Sequence, residues 1–347
     1  MSLGIVRFVY PRNRDGHFIE LSHVEKEVCL KLSGQVFELI ITSVESNDVI
    51  LQIKNFVLKN NLRSIHFDWL HDVSSYLLEI ASILKELGVS WTSTASLGRA
   101  IRTPNAQSRI DFESIKLLEK LKYLKANYSK FRIFIFDERL VIKFSKELPF
   151  LVFLPFPFES EMDSKCNYCS VNSKRPLVAL VGSIFGYKGS EQLVKYWLNS
   201  KAFRLGLVGS YHDYSHSHLV RDAIKNAEKD PNNLIILKRV PMTSTLNHYL
   251  SHADAIYIDT RDYPEPSGIA ERALTFGVPI IIENADSNLR DLSLSHNGFM
   301  SAEILTASFE NLTTAIHAKK QSIVKSEPVR SFDVQRVMEN AWKEFLE

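Results

Sequence analysis

Residues 253–282, ADAIYIDTRDYPEPSGIAERALTFGVPIII, predict a strand, a loop, a helix and a second strand in direct succession. Residues 255–258 form an apolar, β-branched run of strand length, and the polar and proline-containing residues 259–266 break it. Apolar residues then recur at helical spacing over residues 269–276, and a glycine and a proline end that helix. Such a unit is typical of an α/β fold.

Ser267 and Gly268 stand where this helix begins. The first turn of a helix leaves backbone N–H groups unpaired and carries roughly half a positive charge. A small hydroxyl residue and a glycine therefore allow a phosphate to sit directly on the helix end, which predicts an anion site. The alternative is that Ser267 merely caps the helix.

The composition predicts a globular protein large enough for two domains, because 45% of the 347 residues are hydrophobic and 24% are charged. A formal net charge of +2 is too small to favour nucleic acid as a partner. The first residues do not follow the order of a signal peptide, and no apolar run approaches the ~20 residues of a membrane span. We therefore expect a cytoplasmic protein.

The cysteines and histidines give little indication of a metal or redox site. Cys29 falls in a predicted helix, whereas Cys166 and Cys169 form a single CxxC without a second pair or a histidine pair at zinc-finger spacing. Three histidines and an aspartate within residues 212–218 are more typical of a solvated turn than of metal ligands. We expect no metal and no cofactor.

Strands and helices alternate from the start of the chain. Predicted strands cover residues 5–10, 37–41, 64–70, 89–94, 132–136 and 150–154, and predicted helices cover residues 19–32, 49–58, 76–87 and 110–126. This order predicts a parallel sheet with helices on both faces. The polar residues 160–173 have the composition of a linker, so an N-terminal domain is expected over residues 1–165.

A second alternating set predicts a second doubly wound domain over residues 174–328. Its predicted strands are residues 176–181, 203–208, 234–237, 255–258 and 278–282, and its other predicted helices are residues 190–199, 217–228 and 244–251. No repeat of solenoid length is present in the sequence. Residues 329–347 carry Val334, Met338, Trp342 and Phe345 at helical spacing, which predicts a C-terminal helix with one apolar face.

In open parallel sheets, ligands gather beyond the carboxyl ends of the strands. Two strand ends of the second domain, residues 182–189 and 259–268, carry glycine, lysine and acidic residues that suit a charged ligand. The loop GSIFGYKG matches neither GxGxxG nor GxxxxGK[ST], which argues against a dinucleotide dehydrogenase and a P-loop enzyme. Lys188 in this loop is suited to neutralise a diphosphate, and the alternative is a solvated lysine after a turn.

These segments resemble the group 1, family 4-like retaining glycosyltransferases of GT-B fold. The resemblance covers nearly the whole chain, is strongest over residues 176–299, and rests on the order of the loop from Gly182 to Lys188 and Gly189, LGLVG at 205–209, YLSHADA at 249–255, GVPII at 277–281 and HNGF at 296–299. It implies an α/β protein of two Rossmann-like, doubly wound domains that face a central cleft. It also implies that the C-terminal helix packs back on the first domain.

The resemblance further implies a donor site in the second domain for a nucleotide-diphosphate sugar. Lys188 would pair with the diphosphate, and the amides of Ser267 and Gly268 would hold its phosphates. Together these groups would oppose the charge that develops as the nucleotide diphosphate leaves, without a metal. The donor-binding residues implied are Gly182, Ser183, Lys188, Ser267, Gly268 and Glu271.

Catalytic roles are implied for Lys188, Glu265 and His17, and an acceptor side is implied at Gly16, His66 and Asp68. For His17, His66 and Asp68 the alternative is a structural role at a strand end. Three departures from the family pattern stand against catalysis: an arginine normally found shortly before the lysine is absent, the glutamate spacing between Glu265 and Glu271 is too short, and a histidine expected after the strand at 89–94 is missing. Aligned backward from Gly277, the second glutamate position holds Arg272.

We therefore expect a retaining, metal-independent hexosyl- or other glycosyltransferase acting in polysaccharide, glycolipid or glycoconjugate synthesis. Its acceptor would be a carbohydrate or a lipid-linked molecule, with peripheral contact at the inner face of the membrane. The alternative is a catalytically inactive sugar- or nucleotide-binding subunit on the same fold. A nucleotide-sugar epimerase of GT-B shape is a third reading, although no residue can be assigned to its chemistry.

Overall fold

The computed structural model describes residues 2–8, 17–42, 45–95, 97, 109–128, 130–155, 174–186, 189–238, 244–259, 268–283, 294–325 and 331–344, and of residues 17–20, 109–113, 244 and 331–332 it describes the backbone alone. The chain forms two compact units, one of Met1–Pro157 with Val329–Glu347 and one of Phe158–Pro328. Each unit contains one six-stranded sheet.

The sheet of the first unit is entirely parallel, with strand order β2-β1-β3-β4-β5-β6. Its strands are β1 (Leu3–Phe8), β2 (Phe37–Ile41), β3 (Ser64–Phe67), β4 (Ser90–Thr94), β5 (Phe131–Ile135) and β6 (Leu151–Phe153). Its helices are α1 (His17–Ser33), α2 (Ser46–Lys59), α3 (Leu70–Val73), α4 (Leu77–Glu86), α5 (Arg109–Asn127), α6 (Glu138–Phe144) and, from the end of the chain, α12 (Ser331–Lys343).

The sheet of the second unit is also parallel, with strand order β12-β11-β10-β7-β8-β9. Its strands are β7 (Leu177–Val181), β8 (Arg204–Val208), β9 (Leu234–Ile236), β10 (Ala255–Ile258), β11 (Ile280–Ile282) and β12 (Phe299–Ser301). Its helices are α7 (Ser190–Ser200), α8 (His218–Glu228), α9 (Ser244–His252), α10 (Gly268–Thr275) and α11 (Phe309–Ser322).

Sequence patterns account for these elements. In α4, the buried residues Leu77, Ile80, Ala81 and Leu84 recur every three to four positions, which gives the helix one apolar face against the sheet. The central strand β7 has the sequence LVALV and is buried along its whole length, because helices cover both faces of a parallel sheet.

The C-terminal helix α12 belongs to the core of the first unit. Val334, Met338 and Trp342 are fully buried in one apolar cluster with Leu21 and Val28 of α1. A tryptophan of this kind buries up to ~250 Å², so these three side chains hold the end of the chain on the first sheet. Phe345, the fourth residue of the predicted face, lies outside the described residues.

Several boundaries differ from the predicted ones. The first strand is Leu3–Phe8, two residues earlier than the apolar run suggested. The strand predicted over residues 64–70 stops at Phe67, because α3 begins at Leu70 and removes the last residues from the ladder. Helices α3, α6 and α11 and strand β12 are additional to the predicted elements.

Candidate functional site

The strand order of the second unit marks one place for a ligand. From the central strand β7 the chain runs outward through β8 and β9, and it then returns to the other side of β7 to form β10, β11 and β12. The strands that follow β7 and β10 in the chain, β8 and β11, therefore lie on opposite sides of this pair. A crevice opens between the loops after two such strands, at the carboxyl ends of the strands, where ligands bind in doubly wound folds.

The loop after β7 ends against the end of β10. Gly189 has φ +93° and precedes the first residue of α7. A Cβ atom at Gly189 would lie 2.4 Å from the Cβ of Asp259 and 2.8 Å from Cε1 of Tyr257. A glycine is needed here for both the backbone conformation and the space. The structure thus brings the two segments that the sequence singled out, 182–189 and 259–268, into direct contact.

The described part of the first segment continues from β7 without a break. The Gly182 amide donates to the Val208 carbonyl at 2.9 Å, and the Ile184 amide donates to the Ser210 carbonyl at 2.8 Å. Ser183 is partly buried in this stretch. Gly182 and Ser183 therefore lie at the carboxyl end of the central strand, and their donor-binding role remains a prediction.

Helix α10 supplies the other side of the crevice. Gly268 is the first residue of α10 and is buried. The N-terminus of this helix is therefore packed against other parts of the protein. Glu271 follows in the first turn, and burial raises the pKa of this carboxyl to about 7, although the neighbouring Arg272 opposes the shift. Glu271 therefore holds its proton to a higher pH than an exposed glutamate does.

Arg272 has no exposed surface. Its guanidinium donates from NH1 to Oδ1 of Asn247 on α9 at 3.0 Å. A fully buried arginine is costly unless it is hydrogen-bonded, so this residue ties α10 to α9. When the helix is aligned backward from Gly277, Arg272 holds the position of the second family glutamate. At that position this protein therefore has a buried cation in place of a carboxylate.

Two acidic residues lie at the strand ends, Asp259 in the segment 259–268 singled out above and Glu283, which was not identified from sequence. Asp259 follows β10 and is 6% exposed. Glu283 follows β11, and its two carboxylate oxygens accept hydrogen bonds from Tyr257 at 2.9 Å and Tyr196 at 3.1 Å. The signal for Glu283 was available, because it is the first polar residue after the apolar strand β11.

Four of the predicted site residues, Lys188, Glu265, Ser267 and Gly16, lie outside the described residues. His17 begins α1, but its side chain also lies outside the described part. Their predicted roles remain predictions. The described flanks, Gly186 with Gly189 on one side of the crevice and Asp259 with Gly268 on the other, bracket three of these positions.

In the first unit, His66 is fully buried on β3. Its Nδ1 lies 2.8 Å from Oγ1 of Thr92, and its Nε2 lies 3.1 Å from Oε1 of Glu25. The indole N–H of Trp342 also donates to the Thr92 hydroxyl, at 2.7 Å. Both ring nitrogens are therefore engaged inside the protein, which fits the structural alternative for this histidine better than direct contact with an acceptor.

Asp68 lies directly beyond β3 and is 2% exposed. Its Oδ2 is 3.6 Å from NH1 of Arg7, and the same guanidinium contacts Glu25 at 3.0 Å and Glu38 at 3.1 Å. Arg7 thus gathers three carboxylates at the end of the first sheet. Sequence reasoning missed this cluster because its members come from β1, α1, β2 and β3.

Of the histidines within residues 212–218, His218 is exposed, as predicted for a solvated turn, whereas His216 departs from that prediction. His216 is 6% exposed, and its Nε2 lies 2.6 Å from the hydroxyl of the buried Ser190. Across the described ranges, no group of three or more His, Cys, Asp and Glu residues is arranged to hold a metal ion. No helix within those ranges has the length and apolar character needed to cross a bilayer.

No protein-family model and no curated protein matches the chain. Its coordinates resemble those of Anabaena HepE in complex with UDP and glucose, which is 12% identical over 98% of this chain and 99% of that chain, with a TM-score of 0.65. They also resemble a glycosyltransferase from Rickettsia africae, which is 14% identical over 100% and 99% of the two chains, with a TM-score of 0.62. A UDP-GlcNAc 2-epimerase from Neisseria meningitidis bound to UDP-GlcNAc is 9% identical over 99% and 100%, with a TM-score of 0.52. At these identities the likeness shows the fold, and the predicted class of two Rossmann-like α/β domains of GT-B type is confirmed.

Proposed function

We propose that this chain is a glycosyltransferase that moves a sugar from a nucleotide-diphosphate sugar to an acceptor hydroxyl. The observation that carries the proposal is the contact of Gly189, directly before α7, with Asp259 at the end of β10, where the strand order reverses. A helix N-terminus at this crevice favours a phosphate-containing ligand, and the connection that follows β10 leads to a second helix, α10. The fold shared with HepE, which was solved with UDP, supports the same choice.

In this proposal the donor lies along the second unit. Lys188 pairs with the diphosphate, the amides of Ser267 and Gly268 hold its phosphates, and Gly182 and Ser183 line the end of β7. These donors stabilise the negative charge that builds on the leaving nucleotide diphosphate, so the reaction needs no metal. Glu271 binds the donor near the start of α10.

The chemistry proposed is transfer with retention. Lys188 assists departure of the leaving group, Glu265 faces the donor sugar, and His17 acts from the first unit. The acceptor hydroxyl would attack from the face that the leaving group vacates. Gly16 and Asp68 would approach the acceptor, and His66, given its burial, would act by fixing β3 beside β4.

We propose a carbohydrate or lipid-linked acceptor and a role in polysaccharide, glycolipid or glycoconjugate synthesis. The protein would work in the cytoplasm, with peripheral contact at the inner face of the membrane. The resemblance of the sequence to family 4-like enzymes supports these finer assignments.

One observation favours a second candidate, a nucleotide-sugar-binding subunit without catalysis. Arg272, which holds the position of the second family glutamate when the helix is aligned backward from Gly277, is buried and bonded to Asn247. A carboxylate that would contact the donor in the family is therefore replaced by a cation that serves packing.

Turnover separates the two candidates. The purified protein is incubated with UDP-glucose and UDP-GlcNAc, with mixed glycan and lipid-linked acceptors, and the release of UDP is followed in EDTA and in Mg²⁺. The enzyme reading predicts release in both media, loss of release in Lys188→Ala, and full release in Lys225→Ala, an exposed lysine of α8. The anomeric configuration of the product, read by NMR, tests retention. Binding of a donor without any release would favour the inactive subunit.

A further inference from the structure

Residues 184–186 of the loop after β7 are hydrogen-bonded to residues 210–215, which follow β8. The Ile184 amide donates to the Ser210 carbonyl at 2.8 Å, and the Gly186 amide donates to the Ser215 hydroxyl at 3.0 Å. A Cβ atom at Gly186 would lie 2.1 Å from the Ser215 carbonyl oxygen, so the two segments touch backbone to backbone. The position of residues 182–186 therefore depends on the segment after β8.

The buried residues Ser190 and His216 form a hydrogen bond beside these two segments. The Ser190 hydroxyl, on the first residue of α7, lies 2.6 Å from Nε2 of His216 and 2.8 Å from the Phe185 carbonyl oxygen. Nδ1 of His216 lies 3.0 Å from the His212 carbonyl oxygen. Nδ1 also lies 3.1 Å from the Ser215 hydroxyl, but that hydroxyl donates its proton to the His212 carbonyl oxygen at 2.6 Å. Because a carbonyl oxygen only accepts hydrogen bonds, Nδ1 carries the proton of its own contact with the His212 carbonyl.

The number of protons in this cluster depends on the charge of the imidazole. In the neutral ring, Nε2 is an acceptor, and it competes with the Phe185 carbonyl for the single hydroxyl proton of Ser190. In the protonated ring, Nε2–H donates to the Ser190 oxygen, and the hydroxyl is free to donate to Phe185. Every contact then has its own proton, and two of the hydrogen bonds come from a charged donor.

Burial acts against that charged form. It lowers the pKa of His216, whereas the hydrogen bond to the His212 carbonyl and the carboxylates of Glu191 and Asp213 raise it. Two other rings lie near the imidazole, that of His212 and that of Tyr211, whose centroid is 5.0 Å away in a stacked arrangement. The two carboxylates are themselves paired, Glu191 with Lys195 and Asp213 with Arg221. An additional negative charge near α7 would shift this balance toward the imidazolium.

We propose that His216 and Ser190 are positioning residues for the proposed donor site, and that their pair takes up a proton when a nucleoside diphosphate binds. The inference rests on the proposed function. The pair fixes residues 182–186 and the first turn of α7, which flank Lys188. A bound diphosphate brings negative charge to that turn and so favours the ring in which all contacts are satisfied.

The test uses UDP-glucose, whose diphosphate does not titrate near neutrality, with calorimetry from about pH 5.5 to about pH 8. Wild-type affinity is expected to rise as the pH falls. His216→Ala is expected to bind about tenfold more weakly, as for loss of one charge-assisted hydrogen bond. His216→Gln keeps a donor for Ser190 but cannot titrate, so its pH dependence is expected to be smaller than that of wild type and to be that of Glu271 alone. His218→Gln, at an exposed position on α8, is the matched control.

The same pH dependence in His216→Gln and in wild type, or wild-type affinity in His216→Ala, would overturn the inference. Hydrogen exchange of the Ile184 and Gly186 amides provides a readout that needs no ligand, and it is expected to accelerate in His216→Ala and in Ser190→Ala. If the wild type binds no nucleotide, the proposed function fails. Unchanged exchange of these two amides would then also refute the positioning role, whereas faster exchange would support it.

Discussion

Replacing Glu271 by glutamine is expected to stabilise the second unit, and to do so more strongly as the pH rises. Burial raises the pKa of this carboxyl from 4.5 to about 7. Between these values the native protein keeps a proton that the unfolded chain has released. The stability contributed by Glu271 is therefore greatest at low pH and is lost as the pH rises through 7.

The magnitude follows from the two pKa values. The cost of burying the charged form reaches roughly 3 kcal/mol above pH 7, and it is about 1 kcal/mol at pH 5. Glutamine carries no charge at any of these pH values and has nearly the same volume. The difference in free energy of unfolding between Glu271→Gln and wild type should therefore grow by roughly 2 kcal/mol between pH 5 and pH 7.

Urea unfolding of both proteins at several pH values measures this difference, because other titrating groups are shared and cancel. Glu228→Gln, at an exposed position on α8, controls for the loss of one negative charge. A difference that is constant with pH, or one that favours the wild type at pH 7, would refute the reasoning. If Glu271 also binds the donor, the same stabilised variant will hold UDP-glucose more weakly.

Two further substitutions test the geometry. Gly189→Ala is expected to cost about 2–4 kcal/mol of unfolding free energy, because it adds a methyl group against Asp259 at a left-handed backbone position, and urea unfolding will measure the loss. Trp342→Ala is expected to cost about 3–5 kcal/mol, since it leaves a cavity and removes the donor to Thr92. Tyr214→Ala, at an aromatic side chain that is 82% exposed, should change the unfolding free energy by less than about 0.5 kcal/mol.

Local patterns predicted much of the fold. The strand Ala255–Ile258 matches its predicted bounds, and the helix Gly268–Thr275 lies within one residue of them. In both, hydrophobic periodicity and the flanking glycine and proline act within a few residues of the element. Helix Glu138–Phe144 was missed because it is only seven residues long and contains one buried residue, which gives too little periodicity to recognise.

The site was less predictable because burial depends on distant segments. His66 looks like a residue at the end of a strand, but Trp342 reaches Thr92 beside it from 250 positions further along the chain. His216 lies among polar residues in a turn, and only its contact with Ser190 of α7 removes it from solvent. Neither contact has a local signal in the sequence.

Direct binding of a donor nucleotide tests the central claim most simply. UDP and UDP-glucose are titrated by calorimetry in EDTA into wild type, Lys188→Ala and Lys225→Ala. The account predicts binding without metal by wild type and Lys225→Ala, and binding weaker by about 10- to 100-fold in Lys188→Ala, as for the loss of one charged hydrogen-bond donor. Absence of binding in all three proteins, or equal affinity in all three, would contradict the donor site proposed at the crevice between β7 and β10.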